Sequence, residues 1–339
     1  MTLQHGEIRD LPTPLGESPA FMDVLERVSR LARLDRPCLV VGERGTGKEL
    51  IAARLHYLSR RWDKPFVAVN CAALSEDLLD SELFGHEAGA FTGARDRRIG
   101  RFERADGGTL LLDEIATASS RVQEKILRVV EYGELERVGG GRTLRVDVRV
   151  IGATNVDLPA EVDAGRFRAD LLDRLAFEVV TLPPLRARRE DILVLAQHFA
   201  VAMARELGRE LFAGFTHEAE AALVAHAWPG NVRELKNTIE RAVARANADE
   251  PVSEIALDPF ESPHRLARTA VGSAPATDRP SPHLKDKVSG YERRLLAEAL
   301  AGADGNGAAA ARALGLGYHR FRRLLAKHGL GQAAARSAS

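Results

Sequence analysis

Through the first half of the chain, short apolar runs alternate with stretches whose apolar residues recur every three or four positions. The runs are residues 39–41, 66–69, 110–112, 146–151 and 177–182. Runs of that length bounded by turn residues predict strands buried on both faces. Between them Val122, Ile126, Val129 and Val130 fall on one helical face. The alternation predicts an α/β unit over residues 15–187, a parallel sheet covered by helices on both sides, after a short extension over 1–14. From 188 to 258 the strand runs stop and helical spacing takes over, which predicts a small helical subdomain.

Residues 259–285 change character. Pro263, Pro275, Pro280 and Pro282 stand among Ser, Thr, Ala and Arg with almost no periodic apolar residues, the composition of a linker. Beyond it, 286–332 regains helical spacing, and residues 286 to 339 hold nine Lys/Arg against four Asp/Glu. Formal net charge of the whole chain is +0, so any nucleic-acid affinity must come from such a local basic segment. No run approaches eighteen apolar residues and the N-terminus lacks a signal-peptide pattern, which argues against a membrane span. Cys38 and Cys71 lie at or beside apolar runs and read as small buried residues in a reducing cytoplasm.

Chemistry enters where the first run ends. Gly42, Glu43, Arg44, Gly45, Thr46, Gly47 and Lys48 form G-x-x-x-x-G-K between a strand pattern and a helical one through Ile51, Leu55 and Leu58. Glycines let backbone N–H groups curl toward phosphate oxygens, while the helix N-terminus and Lys48 add positive charge. Glu49 follows where the general motif has a Ser/Thr to hold Mg²⁺. Asp113, ending the third run, is the expected Mg²⁺ ligand, with Glu114 polarising the attacking water. The pattern therefore predicts an ATPase.

One family fits these residues. Glu49 after the loop, Glu82-Leu83-Phe84-Gly85-His86, the hexapeptide Gly89-Ala90-Phe91-Thr92-Gly93-Ala94, the stretches 101–105 and 167–175, and Trp228-Pro229-Gly230-Asn231-Val232-Arg233-Glu234-Leu235 resemble the sigma-54-dependent bacterial enhancer-binding proteins, AAA+ transcriptional activators. The resemblance covers roughly residues 15–250 and the tail. It implies an AAA+ P-loop NTPase that hydrolyses ATP to remodel the sigma-54 RNA polymerase closed complex, with residues 89–94 contacting sigma-54 and Gly139-Gly140-Gly141 forming an assisting loop. Arg168 and Arg174 become arginine fingers acting on a neighbour's ATP, a role worth about 10³–10⁵ in rate that requires a ring, expected to be a hexamer. Arg233 becomes a nucleotide sensor on the helical subdomain, Asn70 orients Glu114, and Asn155 with Thr154 takes a second sensor position.

Residues 306–330 read as helix–turn–helix: a short alanine-rich helix 308–314, a turn at Gly315-Leu316-Gly317, and a second helix 318–328. Phe321, Leu324 and Leu325 make its apolar face, while Arg320, Arg323 and Lys327 fall on another. Tyr318, His319, Arg320, Arg322, Arg323 and Lys327 are the expected contacts to double-stranded enhancer DNA. The resemblance makes this a Fis-type domain, with Tyr291, Leu295, Leu296, Ala299 and Leu300 on a dimerisation helix. With the ATPase pattern opening at Leu15, control is expected from another protein or from expression level. Residues 56–62 and 132–138 resemble the phage-shock branch of the family, which implies a trans-acting negative regulator of the phage shock protein A type, with Trp62 as an exposed anchor.

Overall fold

The computed structural model describes residues 14–91, 94–260, 284–303, 306–328 and 330. The extension up to residue 13, Thr92, Gly93, most of the expected linker and the end of the expected basic domain lie outside the described residues. The chain divides into two units, residues 1–261 and 262–339.

In chain order the first unit runs α1 (Pro19–Leu31), β1 (Cys38–Val41), α2 (Lys48–Tyr57), β2 (Phe66–Asn70), α3 (Glu76–Phe84), β3 (Gly85–His86), β4 (Arg98–Ile99), α4 (Arg101–Arg104), β5 (Thr109–Asp113), α5 (Ser120–Tyr132), β6 (Glu134–Glu136), β7 (Thr143–Arg145), β8 (Arg149–Thr154), α6 (Leu158–Asp163), α7 (Ala169–Leu175), β9 (Val179–Thr181), α8 (Glu190–Glu206), α9 (His217–Ala225) and α10 (Asn231–Arg245). Five strands pair in the order β2-β5-β8-β1-β9, all parallel. The two small antiparallel pairs are β3 with β4 and β6 with β7.

The sheet strands are largely buried, and burial falls off at the carboxyl end of two neighbours: Leu110, Leu111 and Leu112 are buried while Asp113 rises to half-burial, and Asn70 at the end of β2 is exposed. That is the carboxyl edge where ligands bind in open parallel sheets. One face packs on Leu83, Phe84, Phe102, Val122, Ile126 and Leu171; the other packs on Phe21, Val28, Ile51 and Leu55 of α1 and α2. Each such fully buried side chain contributes about 1.5–3 kcal/mol. Two expected strands are shorter than their apolar runs. Val146 donates its N–H to Gly133 O at 2.8 Å to close the β6–β7 hairpin, so β8 starts at Arg149. Phe177 lies before β9, exposed beneath the Arg36 guanidinium at 5.7 Å. Leu58 likewise falls just past α2 and is exposed.

Helices α8, α9 and α10 have a core of their own around Leu195, Leu235, Ile239 and the fully buried Trp228. The Trp228 indole donates to Leu223 O at 2.8 Å, so its one polar group is satisfied.

The second unit holds α11 (Leu284–Gly302), α12 (Gly307–Ala313) and α13 (Tyr318–Lys327). Leu296, Leu300, Ala310, Ala311, Phe321 and Leu325 form its core. The Asn306 carboxamide caps α12 by accepting from Ala308 N and Ala309 N at 3.1 and 3.2 Å. α13 starts at Gly317 with no side-chain cap. Among the described residues of the chain, no helix is long and apolar enough to cross a membrane.

Candidate active site

The loop after β1 leaves the sheet between two neighbours. Gly42 N donates to Thr154 O of β8 at 3.1 Å, and Leu182 N, just past β9, donates to Val41 O at 2.8 Å. Gly45 and Gly47 adopt φ of 77° and 99°, left-handed values that favour glycine. A Cβ on Gly45 would stand 2.3 Å from the Gly230 carbonyl oxygen. Lys48 opens α2, buried, with its Nζ donating to Gly42 O at 2.9 Å and Glu43 O at 3.1 Å. Burial pulls its pKa down, against the pull of Asp113 and Glu114. The helix N-terminus, the curled backbone and a half-desolvated cation make an anion site.

Facing it is the end of β5. Burial pushes the Asp113 carboxyl above its ordinary range, with Lys48 among the charges opposing that rise. Glu114 follows in the left-handed region at φ 52°, a conformation costing a non-glycine residue about 1–3 kcal/mol and typical of functional sites. Its carbonyl is held by Thr117 N at 3.0 Å and Thr117 Oγ1 at 2.8 Å. The Asn70 amide donates to Asp113 Oδ2 at 3.3 Å, the residue before Glu114. The cause is register. Asn70 pairs with Asp113 across β2 and β5, and its oxygen is taken by Ala72 N at 2.9 Å. The Glu114 carboxylate lies 3.6 Å from the Arg44 guanidinium.

The helical subdomain closes the site. Arg233 N donates to Gly45 O at 3.3 Å, and Arg233 lines the same pocket as Gly45, Lys48, Glu49, Asp113 and Glu114. Asn231 had no assigned role in the sequence, yet it is fully buried at φ 54°. Its oxygen accepts from Leu185 N at 2.8 Å, and its amide donates to Glu43 Oε2 at 3.1 Å and Arg44 O at 3.0 Å. Glu43 is further gripped by Arg186 at 2.8 and 2.5 Å. Hydrogen bonds from Arg186 and then Asn231 hold the Glu43 carboxyl down to about 2. The one available signal for Asn231 was Asn after Gly at a helix start, since Asn tolerates left-handed backbone. An apolar pocket adjoins the loop on its other side, sharing Gly47 and Leu50 and walled by Leu15, Phe21, Leu195, Phe199 and Val232.

Three other expected residues stand apart from this cluster. Arg168 forms a two-point pair with Asp170 at 3.0 and 2.7 Å. Arg174 reaches Glu131 on α5 at 2.5 Å. Both guanidinium groups are partly exposed. Asn155 is exposed just beyond β8, next in chain to Thr154, whose Oγ1 accepts from Val156 N at 3.2 Å.

Gly89, Ala90, Phe91 and Ala94 are the described residues of a second glycine-rich segment. Gly89 N donates to Ala94 O at 2.7 Å and Ala94 N to Phe91 O at 3.0 Å, closing it at its base. Phe91 is 45% exposed, its ring edge-on to His86 with centroids 5.0 Å apart. Gly139 touches this loop so closely that a Cβ would lie 2.6 Å from Ala90 Cβ. Beneath them the buried Arg137 donates to Glu87 at 2.7 Å and also pairs with Glu103. The two expected mobile loops are thus neighbours on one arginine anchor.

In the second unit Tyr318, His319, Arg320, Arg322 and Arg323 are exposed on α13. Lys327 is exposed too, and donates to Glu292 of α11 at 3.0 Å, beside His328 on the same oxygen at 3.0 Å. Trp62 is 59% exposed. Cys38 and Cys71 are free and buried, their thiols pushed up to about 11 and about 12 by burial.

Residues 15–181 match the sigma-54 interaction domain family and residues 186–266 the AAA+ ATPase lid domain. The chain is 58% identical over 317 residues to the Psp operon transcriptional activator of Escherichia coli (strain K12), covering 93% of this chain and 97% of that one. It is 45% identical over 316 residues to the regulatory protein AtoC of Escherichia coli (strain K12), covering 93% and 68%. Among solved structures, NtrX from Brucella abortus in complex with ATP matches 96% of this chain and 71% of that chain at 32% identity and a TM-score of 0.68. NtrX in complex with ADP matches equally.

Proposed function

The chain belongs to the sigma-54 interaction family of AAA+ ATPases, and from that premise we propose how its residues share the work of an ATP-hydrolysing transcriptional activator of the Psp operon type. The observation that carries the reading is one unit that joins a phosphate-cradling loop to a second glycine loop displaying Phe91.

The backbone of Gly42, Glu43, Arg44, Gly45, Thr46, Gly47 and Lys48 holds the ATP phosphates, with Arg233 reaching them from the helical subdomain. Glu49 supplies no hydroxyl, so Asp113 would hold Mg²⁺; its carboxyl, raised by burial, suits a cation that repays that burial. The ion, when bound, neutralises charge on the phosphates. Glu114 orients and polarises the attacking water. Asn70 acts on Glu114 through its neighbour Asp113, and Asn155 reports from the end of β8. Arg168 and Arg174 serve as fingers for the adjacent protomer's ATP, which makes the active form a ring, a hexamer in our reading. Neither turns into its own site, and their exposed, solvent-screened ion pairs are exchanged at little cost.

Hydrolysis moves the loop formed by Gly89, Ala90, Phe91, Thr92, Gly93 and Ala94 against sigma-54 and remodels the closed promoter complex. The α12–α13 pair is a Fis-type helix–turn–helix that binds upstream enhancer DNA through Tyr318, His319, Arg320, Arg322 and Arg323, with Lys327 contributing only on leaving Glu292. Trp62 anchors a negative regulator of the phage shock protein A type, and the protein works in the cytoplasm. Open-complex formation by sigma-54 polymerase on an enhancer-bearing promoter tests the whole: wild type activates with ATP, while Thr92→Ala and Glu114→Ala do not. Activation unaffected by either change would overturn it.

A further inference from the structure

Arg188 is 2% exposed, and its surroundings do not account for it as an ion pair. The nearest carboxylate oxygen, Asp191 Oδ2, stands 3.8 Å from its Nη1. Asp191 is already satisfied without it, accepting from Glu17 N at 2.6 Å, Ser18 N at 2.8 Å and Ser18 Oγ at 2.8 Å. The guanidinium instead lies 4.4 Å over the Phe21 ring and donates from Nη2 to Thr46 O of the phosphate loop at 3.3 Å. Its Nε–H is buried and has no partner among the described residues, and leaving such a donor unpaired costs about 1–3 kcal/mol, more when charged. Arg188 lines the apolar pocket with Phe21, Leu50, His198 and Val232. That pocket shares Gly47 and Leu50 with the pocket at Lys48. The two pockets therefore adjoin at the start of α2.

We propose that Arg188 is a positioning residue for the nucleoside half of the nucleotide. Its unpaired Nε–H donates to an acceptor on the base or ribose, Phe21 fixes the guanidinium plane, and Nη2 ties the same group to the phosphate loop through Thr46 O. One buried cation thereby links the nucleoside to the phosphate loop. The inference rests on the nucleotide reading of the site, and a ligand that lacks a nucleoside separates the two.

The test titrates the full chain with ADP and with inorganic tripolyphosphate by calorimetry, using wild type, Arg188→Met and Arg188→Lys, with thermal melts alongside. In Arg188→Met, ADP binding weakens about tenfold or more through the lost charged donor, while tripolyphosphate binding stays within about twofold. KM for ATP rises by the same factor as the ADP dissociation constant, with kcat within about threefold. Arg188→Lys, which keeps a charged donor without the planar fork, regains part of the ADP affinity. Equal weakening of both ligands assigns Arg188 to shaping the phosphate loop and overturns the proposal, as does ADP binding unchanged in both variants. If Arg188→Met does not fold, Arg188→Lys against wild type carries the same comparison of ligands. A wild-type chain that fails to bind ADP overturns the nucleotide reading itself.

Discussion

The two glycine loops of the first unit use the same residue for opposite ends. At the phosphate loop, glycine makes room: a Cβ on Gly45 meets Gly230 O at 2.3 Å and Arg233 Cβ at 3.0 Å. At the second loop, Gly89 has φ 84° but, among the described residues, nothing within 4 Å of its missing Cβ. The first loop is boxed in by buried partners from the helical subdomain; the second is tethered at its base and leaves an aromatic tip in solvent. One loop is built to hold a ligand in fixed geometry, the other to meet something outside the molecule. Glycine content alone does not distinguish them; what surrounds the missing Cβ does.

If that division is right, the loops fail separately. Lys48→Ala removes the buried cation at the phosphate site and should lower ATP hydrolysis by about 10²–10³-fold or more. Phe91→Ala shares no partners with that site, so steady-state hydrolysis should stay within about twofold while sigma-54-dependent activation is lost. A Phe91→Ala protein that loses both together would merge the two loops into one functional element. Next in size is a matched pair at the glycines. Gly45→Ala must relieve a backbone clash in left-handed backbone, roughly 2–3 kcal/mol, and should weaken ADP binding about 30–150-fold. Gly89→Ala meets only the left-handed penalty of about 1–2 kcal/mol and should leave ADP binding alone. Calorimetry on both variants decides it, and equal losses would sink the distinction.

The phosphate loop, the acids at the end of β5 and all five sheet strands were legible because each is a local pattern: an apolar run, a glycine spacing, an acid at a strand end. The α/β class with a parallel sheet followed from the same runs. What stayed hidden is what the helical subdomain brings from far along the chain. Glu43 meets Arg186 and Asn231 across 143 and 188 residues, and no periodicity encodes such a pairing. Arg188 stands in a run rich in arginines, where its burial has no signal in the sequence. Asn70 was expected at a strand end, but which of Asp113 and Glu114 its amide meets is decided by strand register. Asn231 offers the third test. Asn231→Ala strands the buried Leu185 N–H and removes the side chain that eases a left-handed φ, which should cost about 2–3 kcal/mol. For a unit of this size that is a fall of roughly 5–10 °C in melting temperature. A change under about 1 °C would mean the subdomain does not lock the loop.

The smallest effect concerns pH, and it again separates the loops. Residues 89–94 contain no ionisable side chain, whereas the boxed loop is fastened through Glu43. Hydrogen bonds from Arg186 and Asn231 hold that carboxyl at about 2 instead of the ordinary 4.5. A carboxylate depressed on folding contributes stability that is fully present above its unfolded value and lost as pH falls toward the folded one. The contribution of Glu43 is therefore complete near neutral pH and drains away between 4.5 and about 2. Because both side chains of the Glu43–Arg186 pair are more than 40% exposed, solvent screening keeps it below about 1 kcal/mol. Many acids titrate in that window, so the readout is the melting difference between wild type and Glu43→Gln, in which the other groups cancel. Wild type should be the more stable at neutral pH, and the gap should close as pH approaches 3. A gap that stays constant down to pH 3, or widens, would show that Glu43 does not fasten the phosphate loop through its charge.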